Sequence, residues 1–464
     1  MNYRYLVSLA LCCFLIAGCA FSEIVVIEGA HSEEYELNLT EGRKPEGGDL
    51  FSEEDLRPVF DEKSVTDIVF EGGNDEAVLC SGPDESCVEI KSGLDGNCIC
   101  ITGSGTYRLS GETANSHIEV DASKDAQVRF LLSGVSICSE GETAIYVNSA
   151  DTFYLMTEAD TVNSICDTYA EVETGKNAVI VSDDDLVIQG EGCLNIRSYN
   201  GAGIECKNDV SMTGGNVRID SADIAIMAKD SFRMCGGVLD IEAADDGIQV
   251  SNSEEAEKGY VYIGGGELTI SSGDDAIHSE RSFTMTEGIY TVTGSREAIE
   301  AGSVDITGGV LRLHAEDDGI NASGKKIILP YIRISGGDIY IDSCGDGIDS
   351  NGILYMDGGT VFIDAPTNFG DDPLDRDMGI SLSGGCIIAA MGEGSVESYA
   401  AMHLAGRKEH VIEESGESGA GRYRIEIIGV NGEIEAAYDA EDPFTKLIVY
   451  EGSDLVEIRI SRQK

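Results

Sequence analysis

Glycine recurs in this chain at intervals too regular for an ordinary globular domain. With the second glycine of each Gly-Gly pair as origin, Gly215, Gly237, Gly266, Gly288, Gly309, Gly337 and Gly359 lie 22, 29, 22, 21, 28 and 22 residues apart. Only Gly288, preceded by Glu287, lacks its doublet. A period near 22, with two units enlarged by about seven residues, is a solenoid signature: each unit buries its apolar face only against its neighbours.

Inside each unit the apolar residues alternate. Two and four positions after the origin stand Val217 and Ile219, Leu239 and Ile241, Leu268 and Ile270, Tyr290 and Val292, Leu311 and Leu313, Ile339 and Ile341, Val361 and Ile363. Five and three positions before it stand pairs such as Val210 and Met212, Phe232 and Met234, Ile332 and Ile334. A third apolar position follows eleven residues after it, as Ile226, Ile248, Ile277, Ile299, Ile320 and Ile348. Period-two alternation describes strands and excludes helices. The predicted fold is therefore all-β: a right-handed single-stranded parallel β-helix with three short strands per coil of about 22 residues, closed by a small C-terminal β-rich cap. The glycines mark the bend between two strands, where a residue without Cβ takes positive φ at little cost. "DLVIQGEGCLNIRSYNGAGIEC" repeats the unit upstream, and weaker relatives reach back to Thr143.

The ends read differently. Arg4 precedes an apolar run from Leu6 to Ala17 that closes in Ile16-Ala17-Gly18-Cys19, an export signal with a lipobox-like end. About 12 apolar residues cannot span a hydrocarbon core that needs about 20. The expected organisation is a lipoprotein signal peptide over 1–18, lipidation at Cys19, an acidic solvated spacer over 19–64, the β-helix over 65–390 and the cap over 391–464. The protein is expected to be exported, to sit at the cell surface as a monomer, and to touch membrane only through its lipid anchor. Of 14 cysteines, Cys12, Cys13 and Cys19 belong to the signal. Cys80 and Cys87 are close enough in sequence to bridge an excursion, and the others read as small buried hydrophobes.

Charge then narrows the partners. Eighty-five acidic residues against 31 basic ones give a formal charge of −54, which repels nucleic acid and anionic membrane and favours cations or ligands reached through cations. The acids recur in phase. Eight and nine residues after the origin stand Asp245 and Asp246, Asp274 and Asp275, Arg296 and Glu297, Asp317 and Asp318, Gly345 and Asp346, with Asp223 alone in the first unit. The residue after the isoleucine is Gln249, Glu300, Asn321 or Asp349, with His278 interrupting. Stacked strands lie about 4.8 Å apart, so equivalent carboxylates of adjacent coils face one another and repel by about 1 kcal/mol even in water. A single Asp-Gly turn would need no further explanation. The same acids in phase over several coils call for cations between the rungs. Calcium takes six to eight oxygens in irregular geometry, whereas no histidine pair or thiolate cluster accompanies these acids to suit a transition metal. The expected calcium ligands are Asp223, Asp245, Asp246, Asp274, Asp275, Glu297, Glu300, Asp317, Asp318, Asn321, Asp346 and Asp349.

Two further sets are ligand-binding candidates. The stretch Pro366 to Met378 reads as an acidic insertion above the coil, with Asp371, Asp372 and Asp375 offering ligand or calcium positions. Arg312 and Tyr340 belong to an outward stripe with Asp240, Glu242, His314, Asp342, Phe362 and Asp364, whose simpler reading is a solvated sheet face.

These units, from Gly214 to Gly359, together with "GTYRLSG" at Gly105, "LVIQGEGCL" at Leu186, "TNFGDDPLD" at Thr367, "SGGCIIAAMG" and "FTKLIVYEGSDL" at Phe444, resemble a group of bacterial cell-surface carbohydrate-binding proteins. The resemblance runs over roughly residues 68 to 460 and departs at the Arg296-Glu297 coil and after Leu455. It implies a β-helix related in fold to pectate lyases, calcium along the helix, and association with acidic and cellulosic polysaccharides. A non-enzymatic binder of acidic, polygalacturonate-like or plant cell-wall glycan follows, with calcium offsetting the like charges of protein and polymer. An aromatic platform for neutral glucan is less suited, since tryptophan is absent. Two other readings stay open. A calcium-dependent uronate lyase would need a basic side chain beside the metal, such as Arg281, Arg296, Lys325 or Lys326. A structural adhesin or spacer would use calcium only to stiffen the rod.

Overall fold

A computed structural model describes residues 50–57, 60–72, 77–93, 96–140, 143–168, 178–324, 329–364, 366, 368, 370–391, 402–404, 408–413, 423–428, 433–440, 446–451 and 457–462. The signal segment and Cys19 lie outside the described residues, as do Lys325 and Lys326. The chain is an all-β parallel solenoid of about 11 turns with almost no helix.

Each coil contributes to two parallel sheets. One is built of short strands in which an isoleucine pairs with the isoleucine of the next coil: Ile226 with Ile248, Ile248 with Ile277, Ile299 with Ile320, and Ile320 with Ile348. The other holds the two strands on either side of the glycine bend. From Tyr260 onward these fuse into single bent strands, such as Ser303–Ala315 and Tyr331–Ser343, so the later coils contain two strands rather than the three expected. Earlier coils keep them apart, as Asp209–Met212 and Asn216–Ser221.

The bend explains the glycines. Gly309 holds φ +90°, and a Cβ there would lie 2.5 Å from the Met285 side chain and 3.1 Å from the Gly288 carbonyl oxygen. The inward residues of both sheets form one continuous core from Ile68 to Met391, in which Phe130 and Phe153 meet edge-on at 4.9 Å.

Both ends of the rod are covered. Val65–Glu71 opens the solenoid by pairing in parallel with Gly105–Thr113, and the antiparallel hairpins Val65–Glu71/Val78–Ser81 and Val88–Gly93/Gly96–Ile101 lie over that end. At the other end Gly379–Met391 pairs in parallel with Met402–Leu404 and antiparallel with Lys446–Glu451. A small antiparallel sheet follows, with Tyr423–Ile428 between Ile434–Ala440 and Glu457–Arg462.

Three expectations need correction. The last part of the supposed solvated spacer is packed: Leu50 is buried against Tyr260 and Tyr262, and the one-turn helix Glu53–Leu56 is held by a Ser52–Asp55 capping box. Apolar residues in this strap explain the difference, because Leu50, Phe51 and Phe60 cover outward aromatic and aliphatic side chains of the long-strand sheet. Cys80 and Cys87 are free thiols, and the disulfide joins Cys138 to Cys166, which face each other in register on adjacent coils with 4.7 Å between Cα atoms. Tyr340 does not stand on an open stripe. It stacks on Phe362 at 5.4 Å, Phe362 stacks in turn on Tyr438 of the cap at 4.9 Å, and the Tyr438 hydroxyl donates to Asp338 Oδ1 at 2.9 Å. Arg312, its in-register neighbour, remains exposed.

Candidate functional site

The tight turn into each short strand, and the strand itself, carry three parallel rows of polar side chains. Pairing of Ile348 with Leu374 and Asp349 with Asp375 fixes the register at the C-terminal end. Asp371 and Asp372 therefore occupy the places of Gly345 and Asp346 one coil on: they are the next rung, not an insertion above the coil. The outer row is Asp223, Asp245, Asp274, Arg296, Asp317, Gly345 and Asp371. The inner row is Asp246, Asp275, Glu297, Asp318, Asp346 and Asp372. The strand row is Gln249, His278, Glu300, Asn321, Asp349 and Asp375.

The inner row is the most enclosed. Asp246 and Asp275 are each 4% exposed and Glu297 6%. Part of its role is structural: three of its carboxylates accept a backbone N–H from the following rung, Asp246 from Asp275 at 3.1 Å, Asp318 from Asp346 at 2.8 Å and Asp346 from Asp372 at 2.6 Å. Burial, reinforced by the neighbouring carboxylates, pushes Glu297 up to about 8, Asp318 and Asp346 to about 7, and Asp246 and Asp349 to about 6.

Two side chains break the rows with charge of the opposite sign. His278 Nδ1 lies 2.7 Å from Glu300 Oε2 and 3.3 Å from Asp275 Oδ2; hydrogen bonding to the two carboxylates raises the imidazole to about 10, and His278 in turn holds Glu300 down to about 2. Arg296 reaches Asp274 Oδ1 at 3.5 Å and Asp317 Oδ2 at 3.6 Å, one coil to either side. The ladder is thus not uniform along its length. Asp245, Asp246 and Asp274 converge below the His278–Arg296 stretch, and Asp346, Asp349 and Asp375 above it, each trio with one oxygen apiece within 4.8 Å of the others. Asp223 adds its charge beside Asp245. Asp317 turns outward to Arg296, and Glu300 belongs to the histidine cluster rather than to either trio.

Three buried oxygens of the intervening coils make no hydrogen bond among the described residues: Asp275 Oδ1, Glu297 Oε2 and Asn321 Oδ1. Orphaned acceptors at such depth are costly without a cation or water to face. The donors are hard oxygens, which suits calcium.

Sequence periodicity identified most rungs but misplaced Asp371, Asp372 and Asp375, because that coil is lengthened between Ile363 and Asp371. The signal was present in Asp372 standing two residues before Leu374, as Asp346 stands before Ile348.

A carbohydrate-binding domain-containing protein of Acetivibrio thermocellus is 34% identical over 217 residues, 46% of this chain and 76% of that protein. A solved structure of the polysaccharide lyase-like protein from C. thermocellum, a gadolinium derivative, aligns with 30% identity and a TM-score of 0.47, covering 53% of this chain and 96% of that one. The family model of carbohydrate-binding domain-containing proteins matches residues 95–328 and 282–453, and the chain belongs to that family.

Proposed function

We propose that this protein binds acidic polysaccharide, of the polygalacturonate or plant cell-wall type, through calcium held on the acidic rows of its short-strand sheet. The observation that carries the reading is the set of buried, unpartnered oxygens on Asp275, Glu297 and Asn321 within rows whose carboxyls are raised by burial and then by neighbouring acids. Asp245, Asp246 and Asp274 would hold one ion, and Asp346, Asp349 and Asp375 another, each with ligand positions left to solvent or sugar. When bound, the ions supply positive charge that a uronate carboxylate can share, which offsets repulsion between two polyanions. Asp371, at the exposed end of the outer row, lies where polymer would pass. Among the described residues Arg312 is an exposed guanidinium of the opposite sheet without an ion pair, and the capped Tyr340 contributes to packing instead.

Binding rather than cleavage fits the side chains around the acids. Arg296, which a lyase could use as its base, is engaged by Asp274 and Asp317. We place the protein outside the cell as a lipoprotein anchored at Cys19, acting as a monomer. The test is retention of polygalacturonate by the full chain with calcium and with chelator, for wild type and Asp349→Asn. Retention that needs calcium and weakens about tenfold or more in the variant supports the reading. Equal retention in chelator, no retention in either condition, or a rise in unsaturated uronate absorbance would overturn it.

A further inference from the structure

Away from the acidic rows, near the N-terminal end of the same sheet, a second cluster has different chemistry. Gly96–Ile101 runs between Val88–Gly93 on one side and Ser116–Asp121 on the other. Alternation turns Cys98 and Cys100 to the same outward face, where register sets Lys91 and His117 beside Cys98, and Glu89 and Glu119 beside Cys100. The two sulfurs are 3.3 Å apart, and the Glu119 carboxylate joins them with all three ligand atoms within 4.8 Å of one another. Lys91 Nζ donates to Cys100 Sγ at 3.3 Å and also pairs with Glu89 at 3.4 Å.

We propose that this face holds a thiophilic divalent cation of the zinc class, bound by Cys98 Sγ, Cys100 Sγ and the Glu119 carboxylate, with His117 or water completing the set. Three features favour a metal. Two thiolates on a tetrahedral ion with bonds of about 2.3 Å stand a little under 4 Å apart, so the observed spacing needs only a small side-chain adjustment. A disulfide would need more: residues two apart on a strand have Cα atoms about 6.6 Å apart, at the upper edge of disulfide geometry. Two thiolates and a carboxylate around a divalent ion leave one net negative charge, and the Lys91 ammonium already touches one of the sulfurs. Calcium is a poor match because its ligands are oxygens. The site is therefore separate from the acidic rows in both place and chemistry, and does not depend on the reading given to them.

The test uses the reduced full chain and cobalt as a spectroscopic stand-in for zinc. One equivalent of cobalt is expected to give thiolate-to-metal charge-transfer absorption that zinc displaces and excess calcium does not. Cys98→Ser should abolish that band, and Glu119→Gln, a conservative change at an exposed position, should weaken cobalt binding by about tenfold or more while keeping a thiolate band. The far-ultraviolet circular dichroism and thermal unfolding of each variant in the absence of metal report that it is folded and should match the wild type. No charge-transfer band in the wild type, a band unaltered by Cys98→Ser, or a Cys98–Cys100 disulfide in the unreduced protein by mass spectrometry would overturn the proposal.

Discussion

Titration of the inner row offers the sharpest test of the electrostatic argument. Asp318 and Asp346 are each raised from an ordinary 3.8 to about 7, chiefly by burial and then by neighbouring carboxylates, Asp317 beside the first and Asp318 beside the second. Their folded-state affinity for protons exceeds that of the unfolded chain, so the folded state binds more protons between about pH 4 and 7 and stability falls as pH rises through that window. Worked at about 1.4 kcal/mol per pH unit and cut by about half for the solvent that still reaches both side chains, the effect is about 2 kcal/mol for each group. Glu297, raised from 4.5 to about 8, extends the loss to higher pH. At about 1 °C per kcal/mol for a chain of this size, the metal-free protein should melt about 5 °C lower at pH 8 than at pH 5. Calcium should restore most of that difference at pH 8 and add little at pH 5, where protons already neutralise the row. The assay is thermal unfolding by circular dichroism in chelator and in millimolar calcium across this pH range. General surface charge contributes to such a slope, so Asp318→Asn should flatten it while Glu316→Gln, at an exposed neighbouring position, should not. A melting temperature in chelator that is level or rises from pH 5 to 8, or a slope that survives Asp318→Asn, would refute the reasoning.

Other outcomes follow from packing. Tyr438→Ala removes the ring that caps Phe362 and should cost about 3 kcal/mol, read as limited proteolysis after Met391 that precedes loss of the solenoid's circular dichroism. Cys138→Ser opens a cross-link between residues separated by 28 and should lower stability by about 3 kcal/mol, with the variant insensitive to reductants that destabilise the wild type. Gly309→Ala forces a Cβ onto a left-handed residue and into contact with the coil below; a loss of about 1–2 kcal/mol or more should appear as a lower urea midpoint without a change in strand content.

How much was readable in advance depended on whether a position repeats. Ile241, Ile270 and Ile341 could be assigned to the core because the same residue class recurs at the same phase, and stacking turns phase into position. The bend glycines were legible for the same reason. Features that occur once were not. The Cys138–Cys166 bridge joins positions whose counterparts on the next coils are Arg197 and Asp220 rather than cysteines, so only the register reveals that they meet. His278 interrupts a run of oxygen donors, and sequence alone cannot say that it turns toward Asp275 and Glu300 and so divides the acidic rows in two. The Cys98–Cys100 pair was passed over because two residues on one strand lack the spacing of familiar metal motifs, although alternation already placed both on one face.

The covering segments argue for which face of the rod meets a partner. The strap reaches Arg129 through Glu54 at 3.4 Å and Arg233 through the Leu50 carbonyl at 2.6 Å, and Phe51 packs on Tyr262, all side chains of the long-strand sheet. The cap uses the same sheet at its other end, through Tyr438 on Phe362 and Lys446–Glu451 on Gly379–Met391. Aromatic and aliphatic side chains that would otherwise face water there are consumed in holding the chain's own ends. The short-strand sheet carries instead Gln249, His278, Glu300, Asn321, Asp349 and Asp375 along one line, whose spacing is set by the coil repeat. A coil repeat of about 4.8 Å is close to the length of one sugar ring, so a polymer laid along this line would meet equivalent donors about once per residue.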